Sequence, residues 1–145
     1  MDLQEAIKQA KRELLKEAGI DPMISKILDY PRRIREQQEN ITALSQMFKA
    51  TKSNLLAAEG VLMAMIAAEI NPNTNKPAFS NKESRDAALA QIKMSDPEYQ
   101  AALKQFNEAE EAYNSAQFDL KMLEDEFKAH STVGGMMASK LSLLA

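Results

Sequence analysis

Between Pro97 and His130, large residues and alanines recur at a fixed step, and this pattern constrains the chain more than any other feature. Tyr99, Phe106, Tyr113, Leu120 and Phe127 come every seventh residue, and Ala102, Ala109, Ala116, Leu123 and His130 stand three places after each. Such a seam occupies one side of an α-helix and buries only against another helix. The alanines let two backbones approach closely while the large side chains interlock. A second segment carries a matching seam: Ile34, Ile41, Leu44, Phe48, Thr51, Leu55, Ala58, Leu62 and Met65 step by three and four, with one step of seven across polar Gln37. A helix over 31–70 is on the order of 60 Å long and has no core of its own. The two segments are therefore expected to run back against each other. The fold class expected is all-α: a long antiparallel helical hairpin, coiled-coil-like, with short flanking helices, and oligomeric.

Breakers place the rest of a single helical domain of 145 residues. Residues 1–30 read as short N-terminal helices. Leu3, Ile7, Ala10 and Leu14 fall at helical spacing over Asp2 to Ala18, and Gly19 sits where a left-handed cap belongs. Asp21-Pro22 then opens a short helix, expected to end before Tyr30-Pro31 because a residue preceding proline disfavours helical geometry. Residues 31–70 form the long helix and 71–80, NPNTNKPAFS, the loop. Ser80 and Glu83 read as a capping box for a short helix over 81–94. Ser95-Asp96-Pro97-Glu98 repeats that signal, with Ser95 or Asp96 as the cap, and starts the long helix 97–130. Gly134-Gly135 is expected to break the chain into a tail, 131–145, carrying Met136, Met137, Leu141, Leu143 and Leu144.

The residue inventory narrows the chemistry. Cysteine is absent, which excludes a disulfide scaffold, a thiol nucleophile and cysteine-ligated zinc, and fits a reducing compartment. The single histidine, His130, argues against a triad or a histidine metal site; a role at the helix end or in the seam is the plainer reading. Glu108, Glu110, Glu111, Asp119, Glu124, Asp125 and Glu126 crowd the last helix, but the Glu-x-x-His pairs of di-metal bundles do not occur, so a solvated face is expected. Gly134-Gly135 lacks the rest of a phosphate loop. No catalytic, cofactor or metal residues are assigned, and the chain is not expected to be an enzyme. The longest apolar run, Val61 to Ala68, falls well short of the roughly 20 residues of a membrane span. The charged, amphipathic start does not read as a signal peptide. No membrane partner is expected, and a cytoplasmic location is.

Two features point to partners instead. Arg32, Arg33 and Arg35, with Lys49 and Lys52 beyond, form the best basic patch, a candidate for phosphate contact. Glu36 and Glu39 follow at once, so surface salt bridges are the competing reading. Residues 1–55 carry ten Lys or Arg against eight Asp or Glu, and residues 56–145 carry eight against thirteen; the basic and acidic halves could pair with each other. The second feature is apolar residues off the seam: Leu56, Met63, Ile66 and Ile70, then Phe118 and Met122, with Val61 besides. A helix apolar nearly all round must be covered on more than one side. Helix 81–94, through Ala88, Leu89 and Ile92, could cover part, and a second copy of the chain the rest. Gly60 costs a helix roughly 1 kcal/mol relative to alanine, which makes close helix packing there plausible.

From the loop onward the sequence resembles a family of small helical coiled-coil proteins encoded by phages and prophages. The residues that carry the resemblance are Asn73 to Lys76, then Pro77-Ala-Phe-Ser-Asn-Lys-Glu-Ser-Arg-Asp-Ala-Ala-Leu, then Ser95-Asp96-Pro97-Glu98-Tyr99 and the helix that follows. The family pattern has a loop like NGKPKYSN, then E-x-x-R-x-A-A-L and D-P-E-Y; here one residue, not two, separates Glu83 from Arg85. The match covers about residues 60–130 of the sequence. It implies a phage origin and a place among genes of DNA recombination and replication, and brings no catalytic residues. Arg85 is the motif residue whose charge capping does not explain, and it joins the candidates for partner contact. The expected function is a non-enzymatic interaction protein, accessory to DNA recombination or repair or inhibiting a host nuclease, with a protein of that machinery or single-stranded DNA as partner. The alternative is a structural or assembly protein, a scaffold or chaperone.

Overall fold

In the computed structural model, residues 2–17 and 19–143 are described; Ala18, expected as the last residue of the first helix, and Leu144 lie outside them. Among the described residues the fold is all-α. The elements are α1 (Leu3–Glu17), α2 (Ile20–Ala68), a ladder of β1 (Ile70–Asn71) and β2 (Lys76–Pro77), α3 (Lys82–Ser95) and α4 (Pro97–Ser142). The helices α2 and α4 pack against each other. The chain divides into two compact units: unit 1 comprises residues 1–40 and 116–145, and unit 2 comprises 41–115.

In unit 1, α1 ends at Gly19, whose φ of 68° is the left-handed conformation that suits glycine, and whose N–H donates to the Lys16 carbonyl. The expected break before Tyr30-Pro31 does not occur: α2 runs through Pro31 without interruption. An internal proline costs a helix about 3 kcal/mol. Burial of a large aromatic is worth a comparable amount, and Tyr30, next door, is 1% exposed. Its ring lies 5.8 Å from Phe127 and stacks on His130 at 5.6 Å. The phenol donates a hydrogen bond of 3.2 Å to the Glu126 carboxylate, so the one polar atom of the ring is satisfied. Tertiary packing thus overrides the local signal. Gln37, the polar residue in the seam, sends its amide to the Ala116 carbonyl at 2.8 Å.

The expected tail is also corrected, because α4 continues through Gly134-Gly135 to Ser142. The seam continues with it: Gly134, Met137 and Leu141 follow His130 in steps of four, three and four, and all three are half-buried. Gly134 is small for a packing reason, since a Cβ there would stand 3.0 Å from Ile27 Cδ1.

Unit 2 buries Leu62, Ile66, Tyr99 and Ala109, and Phe48 packs on Phe106 and Tyr113 with centroids 5.3 and 5.8 Å away. The loop closes through the ladder, where Ile70 faces Pro77 and Asn71 faces Lys76. Asn75 adopts φ 53° and donates to the Asn71 carbonyl; asparagine tolerates this conformation. The capping box lies one residue later than the sequence suggests. Asn81, not Ser80, caps α3: its side chain accepts from Ser84 N–H at 2.7 Å, and Ser84 Oγ accepts in return from Asn81 N–H. Asp96 serves two helices, donating its N–H to the Ile92 carbonyl at the end of α3 and accepting from Tyr99 N–H at the start of α4.

Candidate functional site

Helix α3 decides which residues of α2 are inside. It lies beside the end of α2, tied by a 3.2 Å ion pair from Lys93 to Glu59, and Lys93 also stands 5.4 Å from the centre of the Tyr99 ring. With a third helix on that side, the buried position after Leu62 comes four residues on rather than three. Ile66 is 6% exposed and Met65 56%. The assignment of Ile66 to an oligomer face is therefore corrected, and Met65 leaves the seam. On either side of α3 lies an open groove. One, of about 480 Å³, is lined by Met63, Ile66 and Leu89 with Lys82, Arg85 and Asp86 at its rim. The other, of about 560 Å³, is lined by Phe79, Ala88 and Ile92 among others.

The remaining oligomer-face residues are on the surface. Leu56, Met63 and Ile70 of unit 2 are exposed, as are Met47 and Val61. In the same unit, α4 turns Lys104, Gln105, Glu108 and Glu111 outward and exposes no large apolar residue. Unit 1 reverses this downstream of Tyr30, while upstream of it Ile24 and Leu28 of α2 are exposed. There α4 exposes Phe118, Met122, Val133 and Met136, while α2 from Pro31 to Asn40 exposes only proline, charged and amide residues. Helix α1 shows Leu3, Ile7 and Leu14 to solvent.

The cationic candidates are not equivalent. Arg32 is bound on both sides, to Asp29 at 2.6 Å and Glu36 at 2.8 Å. The hydrogen bonds to Asp29 and then Glu36 hold its guanidinium more firmly protonated than usual. Arg33 lies over the Tyr30 ring, 5.2 Å from its centre. Arg35 in unit 1, and Lys49, Lys52 and Arg85 in unit 2, are exposed and form no ion pair among the described residues. Burial, and then the bond to Glu126, push the Tyr30 phenol above its ordinary range.

Among the described residues no three acidic or histidine side chains converge as metal ligands would, and no buried side-chain polar atom lacks a hydrogen-bond partner. No helix among them is long and apolar enough to cross a membrane. The anchor Tyr30 escapes the sequence reading although its signal is present: Ile27 and Tyr30 extend the steps of four and three upstream from Ile34, past the proline. Compared with protein-family models, curated proteins and solved structures, the chain matches none.

Proposed function

We propose that this chain is a non-enzymatic interaction protein that works through the outer faces of its two long helices, with a protein rather than a nucleic acid as partner. The observation that carries this reading is the exposure of large apolar side chains, Leu56 and Met63 on α2 and Phe118 and Met122 on α4, on helices that already spend one side on each other. Large apolar side chains grouped on one helix face, as each of these two pairs is, mark protein contact. The engagement of Arg32 with Asp29 and Glu36 counts against a phosphate-binding arm, since three of its five donors and its charge are already engaged. The setting is the one the phage-like motif implies, as an accessory to DNA recombination or repair.

The test has two arms. A fluorescent single-stranded oligonucleotide is titrated with the full chain at low and moderate salt, and affinity capture from host cells compares the chain with a Phe118→Glu, Met122→Glu variant. The expected result is no saturable oligonucleotide binding and a captured protein that the variant loses. Saturable, salt-sensitive binding lost in Arg33→Ala, Arg35→Ala would overturn the protein-partner reading in favour of nucleic acid. Turnover abolished by a single point change would overturn the non-enzymatic one.

A further inference from the structure

From Ser53 to Ala68 α2 carries one charged residue, Glu59, and Lys93 of the same chain holds it. Gly60 stands at the middle of this stretch. The fold makes no demand for a glycine there: it is exposed, and nothing lies within 4 Å of where its Cβ would be. Around it the exposed side chains alternate in size. Leu56 and Met63 are large, 58% and 53% exposed, while Ala57 and Ala64 are small and exposed.

We propose that this face pairs with the same face of a second copy, antiparallel, about a two-fold axis through Gly60. On a two-fold axis the central residue meets its own copy, so it must be small for two helices to approach. Counting outward from Gly60 in opposite directions, Leu56 falls on Ala64 of the second copy, and Met63 falls on Ala57 of the second copy. Both large residues of the face, Leu56 and Met63, meet a small one. A parallel pairing sets Leu56 on Leu56 and Met63 on Met63 and leaves gaps at the alanines. A charge-free face also avoids the like-charge repulsion that a two-fold imposes on any charged patch at its centre. Leu56 and Met63 with the small residues between them bury less than about 1,000 Å² over both copies, the size of a weak, transient interface; Val61 and Met65 stand about 100° and 140° round the helix from Gly60 and lie outside it. Lys82, Arg85 and Asp86 of α3 stand beside Met63 as the polar rim such interfaces have. The inference rests on the reading of the chain as an interaction protein and names the occupant of one of its faces.

The full chain is measured by sedimentation equilibrium, beside Gly60→Leu and cysteine variants. The chain has no native cysteine, so every thiol is an introduced one. The expected result is a dimer, weakened about tenfold or more in Gly60→Leu. That variant keeps its helix content, because the site has open space. Leu56→Cys, Ala64→Cys forms a disulfide-linked dimer on mild oxidation, and Leu56→Cys alone does not. A monomer over the accessible concentration range, a dimer untouched by Gly60→Leu, or cross-linking of Leu56→Cys alone would each overturn the proposal. Failure here is separable from failure of the functional reading: a monomer that still captures its protein through Phe118 and Met122 overturns only the antiparallel pairing.

Discussion

Unit 1 is anchored by one buried tyrosine, while unit 2 spreads its burial over aliphatic and aromatic side chains under a third helix; the two also differ in where α4 is apolar on its outside. In unit 1 the solvated stretch is α2 from Pro31 to Asn40, which the Arg32–Glu36 pair laces after Arg32 reaches back to Asp29; upstream α2 exposes Ile24 and Leu28, and α4 exposes Phe118 and Met122. In unit 2 the roles exchange. The lesson is that outward character changes along each long helix and is not a property of the helix as a whole. Averaged over its whole length each long helix is only weakly amphipathic, because wet and apolar stretches follow one another along its outside.

Tyr30→Ala is expected to lower the melting temperature by roughly 10–20 °C, with faster amide exchange confined to residues 20–40 and 116–142. Equal opening of 41–115 would show that the units do not hold separately. Next, Leu62→Ala or Ile66→Ala should cost about 2–5 kcal/mol in urea denaturation, against less than about 0.5 kcal/mol for Met65→Ala; equal losses at 65 and 66 would restore the unshifted seam. A smaller pair of effects separates the adjacent glycines of unit 1. Gly135→Ala, in open space, should stabilise by about 1 kcal/mol. Gly134→Ala should lose that gain against Ile27, and a gain at both would mean that the close contact is unimportant. In unit 2, Asn81→Ala should cost about 1 kcal/mol and Ser80→Ala almost nothing. The smallest effect is on pH. The Tyr30 phenol titrates above its ordinary value of 10.0 in the folded chain, so its contribution is complete below that value and is lost as pH rises through the raised one. Thermal scans on either side of pH 10 should show this loss, and Tyr30→Phe should remove it.

The sequence reading succeeds where a residue's role depends on its own helix and fails where it depends on a neighbour. The α4 seam from Tyr99 to His130 is visible because alternate alanines declare which side packs. Gly19 is visible because a left-handed cap is a local demand. Pro31 and Gly134-Gly135 mislead, since their local preference to break a helix is real, and only the burial of Tyr30 and the contact with Ile27 reveal why the helices continue. Ile66 and Met65 exchange places because α3 comes from a distant part of the chain and no periodicity within α2 records it. Of the candidate site, the exposure of Leu56, Met63, Phe118 and Met122 is legible from their positions off the seam. The internal engagement of Arg32 is half legible: Glu36 at the fourth position onward suggests it, and Asp29 completes it.

The double service of Asp96 has a consequence for how this chain can change length. One residue closes α3 and opens α4, so the joint contains no slack. A single inserted residue would swing the Ala88, Leu89 and Ile92 side of α3 by about 100°, away from α2. The turn at 72–75, between two short paired strands, carries no such constraint. Insertions and deletions are therefore expected to be tolerated at the turn and refused at the joint.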